Sequence, residues 1–172
     1  MHRDLFQPNE ESEGRILILV ACFSRNGRCL EGWTKLAKLD FLLRYPMFLR
    51  RALRIQNAPE SVINRIPESL DIETKMVRYR YGPWDPAYYA ILGRLIGKAL
   101  IEPIPYSHGV GYRATSLGLS VAEKLCAVSE WQRVRENAIA LLRRFDLTGT
   151  NLTAFIYEHF PEISGAKWGD AI

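Results

Sequence analysis

Residues that could do chemistry are few in this sequence, and their spacing does not suit them to it. Gly93-Arg-Leu-Ile-Gly97-Lys98-Ala99 has the glycines and lysine of a phosphate-binding loop. It is one residue short between the glycines, however, and lacks the Ser/Thr that would hold magnesium. It also lies inside a helical pattern. His2, His108 and His159 stand singly, without the H-E-x-x-H or other spacing that gathers imidazoles on a metal. Glu10 and Glu11 are adjacent carboxylates in a polar leader, where burial cannot tune a pKa. Cys22, Cys29 and Cys126 are odd in number, form no C-x-x-C pair, and read as core residues or inert thiols of a reducing compartment. The expectation is a chain with no catalytic, metal or cofactor residues that acts by binding. A small nuclease or toxin with an unfamiliar acidic site is the catalytic alternative.

Two sets of residues are candidates for that binding. The first is basic. Arg25, Arg28, Lys35, Lys38, Arg44, Arg50, Arg51 and Arg54 face only Glu31 and Asp40 over the same stretch, in a chain of formal net charge +4. Such a stretch could attract phosphate or an acidic protein surface, or could be a set of solvated helix faces. Arg50, Arg51, Arg54, Arg78, Arg80, Arg94, Lys98 and Arg113 are the candidate nucleic-acid contacts, with Tyr106, His108 and Tyr112 placed to touch phosphate or to stack. The second set is small or aromatic. At 100° per residue, Ala90, Gly93, Arg94, Gly97 and Lys98 share the face opposite Tyr88, Leu92 and Leu95. Glycine inside a helix is less favourable than alanine by roughly 1 kcal/mol, so Gly93 and Gly97 imply the close approach of another backbone, either a strand of this chain or a partner. Trp33 and Trp168 are candidate interface anchors, with local packing as the plainer reading.

The elements that position these residues follow from hydrophobic spacing. The chain has 172 residues, 48% of them hydrophobic, enough to bury a core without disulfides. Residues 1–12 read as a flexible leader without the basic start and apolar run of a signal peptide, which implies a cytoplasmic protein. The longest apolar run, Ile16 to Phe23, is far short of the roughly 20 residues that span a bilayer, so no membrane segment is expected. It reads as a buried helix, with a strand as the rival because Ile16, Ile18 and Val20 alternate. Thr34 is a candidate cap for a second helix bearing Leu36, Leu39 and Leu43, and Pro46 opens a third. Residues 56–71 form an irregular connection holding at most a helical turn. Residues 72–81 alternate as a half-buried strand ended by Gly82-Pro83. Asp85-Pro86 starts a helix that runs to about Ala99. A hairpin follows, from Leu100 to Thr115 around Ser107-His108-Gly109. Three further helices are expected: one capped by Thr115 or Ser116, one by Ser129, and one near Asn151 to Phe160, with a patternless tail after it.

This order of helices followed by a hairpin is the winged helix-turn-helix arrangement, with residues 86–99 in the recognition position and 100–115 as the wing. The expected fold is therefore mainly α (α+β): a winged-helix domain over 13–128 with an insertion at about 46–71, and a C-terminal helical extension over 129–172. KLAKLDFLLRYP (35–46), YGPWDPAYYAILGRLIGKALI (81–101) and GYRATSLGLSVAEKL (111–125) resemble the middle component of bacterial three-component ABC-ATPase systems, the group that includes Lamassu-type anti-phage defence. The resemblance covers the central portion of the chain and fades in the leader, the 56–71 connection and the tail. It implies a non-catalytic adaptor subunit that associates with an SMC-like ABC ATPase and with an effector such as a nuclease, DNA being reached mainly through the complex. It supplies no catalytic residues. The alternative is a winged-helix DNA-binding transcriptional regulator.

Overall fold

The structure is a computed structural model and describes residues 8–68, 77–79, 82–170 and 172. It is mainly helical, with two short antiparallel hairpins. Helix α1 (Glu10–Phe23) begins inside the expected leader. Asn9 caps it reciprocally, accepting from the Ser12 N–H at 2.8 Å while its own N–H donates to Ser12 Oγ, and Glu10, Glu11 and Glu13 in the first turn suit the positive end of the helix dipole. Ile16 to Val20 are at most 1% exposed, so the run that is apolar on every side is a central helix, and the strand alternative is excluded. Around it lie the helices α5 (Tyr88–Gly97), α6 (Ser116–Leu125) and α7 (Ser129–Phe145). Gly14 admits the Trp131 ring of α7, which a Cβ there would meet at 2.7 Å.

A 3-10 turn over Arg25–Gly27, with Asn26 and Gly27 at positive φ, reverses the chain. Helix α2 (Gly32–Arg44) then starts two residues before Thr34, which therefore lies in its first turn and is not its cap. Helix α3 (Pro46–Ile55) opens on proline as expected, and α4 (Glu60–Ile63) is the single helical turn of the connection. The expected 72–81 strand lies partly outside the described residues. Its described piece is β1 (Val77–Tyr79), and Gly82-Pro83 does not end it but forms its antiparallel partner, β2 (Gly82–Trp84).

Asp85 does not cap α5 directly. One carboxylate oxygen accepts from the Ala87 N–H at 2.8 Å, the other accepts from Arg44, and the helix begins at Tyr88. It ends at Gly97, and Ala99 turns the chain at φ 56 into the hairpin of β3 (Ile101–Tyr106) and β4 (Gly109–Ala114). Residues 86–115 thus form a helix followed by a two-stranded flap. Leu30 exchanges both backbone hydrogen bonds with Tyr112, so a third extended segment lies along β4. The same register aims the outer edge of β3 through Pro103 and Pro105, which have no N–H to donate, and this blunts that side against further pairing. Thr115 caps α6, and α7 starts at Ser129 itself. Thr148 caps α8 (Gly149–His159), which packs on α2, and α9 (Pro161–Ser164) is one turn within the tail that shows no pattern in sequence.

A buried polar network locks α1, α2 and α5 together. Arg15 Nε donates to Asp40 at 2.7 Å, the Tyr88 hydroxyl donates to the other Asp40 oxygen at 2.7 Å, and Arg44 reaches Asp85 at 2.7 Å. Burial alone would raise the Asp40 carboxyl, but Arg15 and Arg44 beside it, with the Arg15 and Tyr88 hydrogen bonds, hold it below its usual range.

Candidate functional surfaces

The outward face of α5 is where the two sets of candidate binding residues meet. Tyr88, Ile91, Leu92 and Leu95 are buried, so helical geometry turns Ala90, Gly93 and Gly97 directly outward. A Cβ built on Gly93 or Gly97 meets nothing within 4 Å, so the expected close approach of a strand of this chain is absent among the described residues. Close approaches occur elsewhere, at Gly118 against the Leu100 carbonyl and at Gly111 against Cys29 and Leu30. One flank of the Ala90/Gly93/Gly97 strip carries Tyr89, 69% exposed, and Ile96, 39% exposed. The other carries Arg94 and Lys98, both on Glu13 of α1: Arg94 Nη1 donates to Oε1 at 3.2 Å, and Lys98 Nζ donates to Oε2. Burial alone would raise the Glu13 carboxyl, but the Lys98 and Arg94 hydrogen bonds and charges keep it low.

The other cations expected to contact nucleic acid are placed as follows. Arg50 donates to the Ile63 and Ile66 carbonyls and fastens the α4 turn. Arg51 joins Glu162 and the His159 carbonyl and lies over the Phe160 ring, tying α3 to the C-terminal helices. Arg54 is 3.7 Å from Glu60. Arg113 pairs with Glu102 across the hairpin, in register. Arg78 lies in β1, and Arg80 lies outside the described residues. The basic run is thus answered by acids remote in sequence, Lys35 and Arg28 meeting Asp146 at 2.7 and 2.6 Å. Lys35, Lys38 and Arg44 are buried. An open basic patch over 25–54 is therefore not what the fold presents.

Trp33 is half-buried at the centre of an aromatic cluster, its ring 4.7 Å from Tyr89, 5.8 Å from Tyr112 and 6.0 Å from Trp84. Through Tyr89 it reaches the exposed α5 face. Trp168 is 67% exposed and lies in the tail, away from that face in sequence.

Sequence reasoning does not find two further features. Glu13 neutralises the α5 cations, and nothing in its spacing shows that α1 lies beside α5. A groove of about 980 Å³ opens between the hairpin tip and the first turns of α2 and α8. The Thr148-Gly149 cap ahead of the last expected helix was the available signal for it. Among the described residues, no three His, Cys, Asp or Glu side chains come together in a way that could hold a metal.

No family model matches the chain, and no curated protein or solved structure matches it either. What the described residues define is a mainly helical protein with an exposed, nearly uncharged helix face and an adjoining groove. Among them, no helix is long and apolar enough to cross a membrane.

Proposed function

We propose that this chain is a winged-helix adaptor, a non-catalytic cytoplasmic subunit that links an SMC-like ABC ATPase to its effector in an anti-phage complex. Support for the winged helix comes from the order α1, Leu30 bridge, α2, α5, hairpin, with α5 in the recognition position and β3–β4 as the wing. The observation that carries the binding role is the outward α5 face. It presents Ala90, Gly93 and Gly97 beside exposed Tyr89 and Ile96, and both its cations are engaged by Glu13. A duplex reader needs free basic and amide groups there. A helix-docking surface needs small residues that let a second backbone approach, next to an aromatic anchor. The family-like segments supply the identity of the partners.

The test is coexpression with the products of neighbouring genes followed by affinity purification. The chain should co-purify with a large coiled-coil ATPase. A Gly93→Arg, Gly97→Glu variant should lose that partner while unfolding at or above the wild-type midpoint, since both changes also remove a glycine from an open helix face. A chain that purifies alone under gentle conditions overturns the adaptor reading. The alternative, a transcriptional regulator, requires submicromolar duplex binding with a steep salt dependence.

A further inference from the structure

Most arginines of this chain are answered by a carboxylate, as at Arg15, Arg44, Arg94 and Arg113. Among the described residues, Arg25, Arg65, Arg133, Arg143 and Arg144 form no ion pair. These are not scattered: Arg65, Arg143 and Arg144 line one pocket of about 220 Å³ between the 56–65 connection and α7.

Local structure fixes both walls. Helix α3 ends in a Schellman turn, with Asn57 at φ 53, the Ala58 N–H donating to the Leu53 carbonyl at 2.9 Å and the Asn57 N–H donating to the Arg54 carbonyl at 3.0 Å. Pro59 then leads into the α4 turn, which sets Val62 and Arg65 across the pocket from α7. On α7, Ala138, Leu141 and Phe145 are buried, and helical spacing puts Glu136, Asn137, Ala140, Arg143 and Arg144 on the opposite side, where they form the other wall. The floor is apolar, made by buried Leu53 and Ala140 with half-buried Ala58 and Val62.

The rim is cationic. Arg65 and Arg143 are exposed and make no side-chain hydrogen bond among the described residues, while Arg144 gives one N–H to the Gln56 carbonyl at 3.2 Å, which leaves its charge uncompensated. Glu136 is the one lining carboxylate, and it pairs with none of the three. Glu60, beside Pro59, lies 3.7 Å from Arg54. Guanidinium groups around an apolar hollow complement an anion joined to a hydrophobic group, because the planar fork matches a carboxylate or phosphate and the floor gains from being covered. Pockets for drug-sized ligands start at about 300 Å³, so this hollow suits a single large side chain. A polynucleotide carries a phosphate at every residue and would bring one onto Glu136. A polypeptide can set its carboxylates on the arginines and an apolar side chain between them.

We propose that this pocket seats an acidic segment of a partner protein, one large apolar side chain entering over Leu53 and Ala140 while carboxylates on either side of it pair with Arg65, Arg143 and Arg144. The site shares no residue with the α5 face, so it stands or falls separately from the adaptor reading.

The probe is a fluorescein-labelled peptide of about nine residues, blocked at both ends, with a central Leu among Glu residues, titrated with the whole chain by anisotropy. Replacing every Glu by Gln, or the central Leu by Ser, should each weaken binding by at least about tenfold. Arg65→Gln with Arg143→Gln should lower affinity by about tenfold at an unchanged urea midpoint, because neither side chain holds another part of the described fold. Glu136→Gln removes the opposing charge and should tighten binding. Arg25→Gln with Arg133→Gln lowers the net charge equally but lies outside the pocket lining, and should change affinity by less than about twofold. No binding, equal binding of the Gln or Ser-centred peptide, indifference to the Arg65 and Arg143 changes, failure of Glu136→Gln to tighten binding, or an equal loss from the Arg25 and Arg133 changes each overturns the proposal. So does an oligothymidylate of about 20 nucleotides that binds tighter than the peptide and weakens with Arg65→Gln and Arg143→Gln, since that assigns the pocket to nucleic acid.

Discussion

Gly93, Gly97 and Gly118 all lie in helices, yet replacement by alanine should act on them in opposite directions. A Cβ on Gly118 would sit 1.8 Å from the Leu100 carbonyl oxygen, a backbone atom that no rotamer change can move. Gly118→Ala should therefore destabilise by about 1–3 kcal/mol or more, as overpacking does. At Gly93 and Gly97 the space is open and φ is ordinary, so Gly93→Ala and Gly97→Ala should each stabilise the isolated chain by about 0.5–1 kcal/mol. Urea unfolding of the three variants checks both signs, and a destabilising Gly93→Ala would mean that the α5 face is covered within the chain. Sequence shows where these glycines stand and which helix face they share. What each faces is decided by which element folds over it, which is why the pair that spacing singles out is open and Gly118 is not.

At the level of elements, the Arg15–Asp40–Arg44 network should control how α1, α2 and α5 stay joined. Asp40 is fully buried between two guanidinium groups, and Asp40→Asn removes the charge that compensates them. Breaking one side of a buried ionic cluster is destabilising by about 3–5 kcal/mol, measurable as a fall in denaturant midpoint at unchanged slope. The folded pKa of Asp40 lies below its unfolded value of about 3.9, so its contribution is present above that pH and is lost as pH falls through the folded value. Glu13, Asp146 and Glu162 are depressed in the same sense: burial raises each, but basic partners outweigh it at Glu13 and Asp146, and at Glu162 a backbone hydrogen bond does so together with Arg51. Stability should accordingly be flat near neutrality and drop on acidification below about pH 4, with a shallower drop in Asp40→Asn. Urea midpoints measured across that pH range test the difference. Elements with long periodic faces were legible: the apolar body of α1, the proline-led α3 and the hairpin after α5 stand where spacing puts them, whereas the polar first turn of α1 reads as leader. Shorter ones were not. β2 has three residues and α9 four, too few for a period to show, and Asp85 resembles an N-cap because its tie to Arg44 spans 41 residues.

For the whole molecule, charge is where sequence and structure part most. A window over 25–54 counts cations against two acids, but folding brings Asp85, Asp146, Glu60, Glu68 and Glu162 onto them, so the surface field is far weaker than the window implies. On α5 the same holds for Arg94 and Lys98, which share Glu13. Wild-type protein should therefore bind duplex DNA weakly through this face and with a shallow salt dependence there, because both α5 cations are already held by Glu13. Glu13→Gln releases two half-exposed cations beside an otherwise neutral helix face without changing its shape. Affinity for duplex should then rise, and the plot of log K against log salt should steepen by about one to two units, one for each phosphate that a released cation neutralises. Adding Arg94→Ala and Lys98→Ala to that variant should return the slope to its original value. Anisotropy titrations over a salt series separate the outcomes. Tight, salt-steep binding by the wild-type chain would place the DNA-contacting cations elsewhere on the surface and make the regulator the better reading.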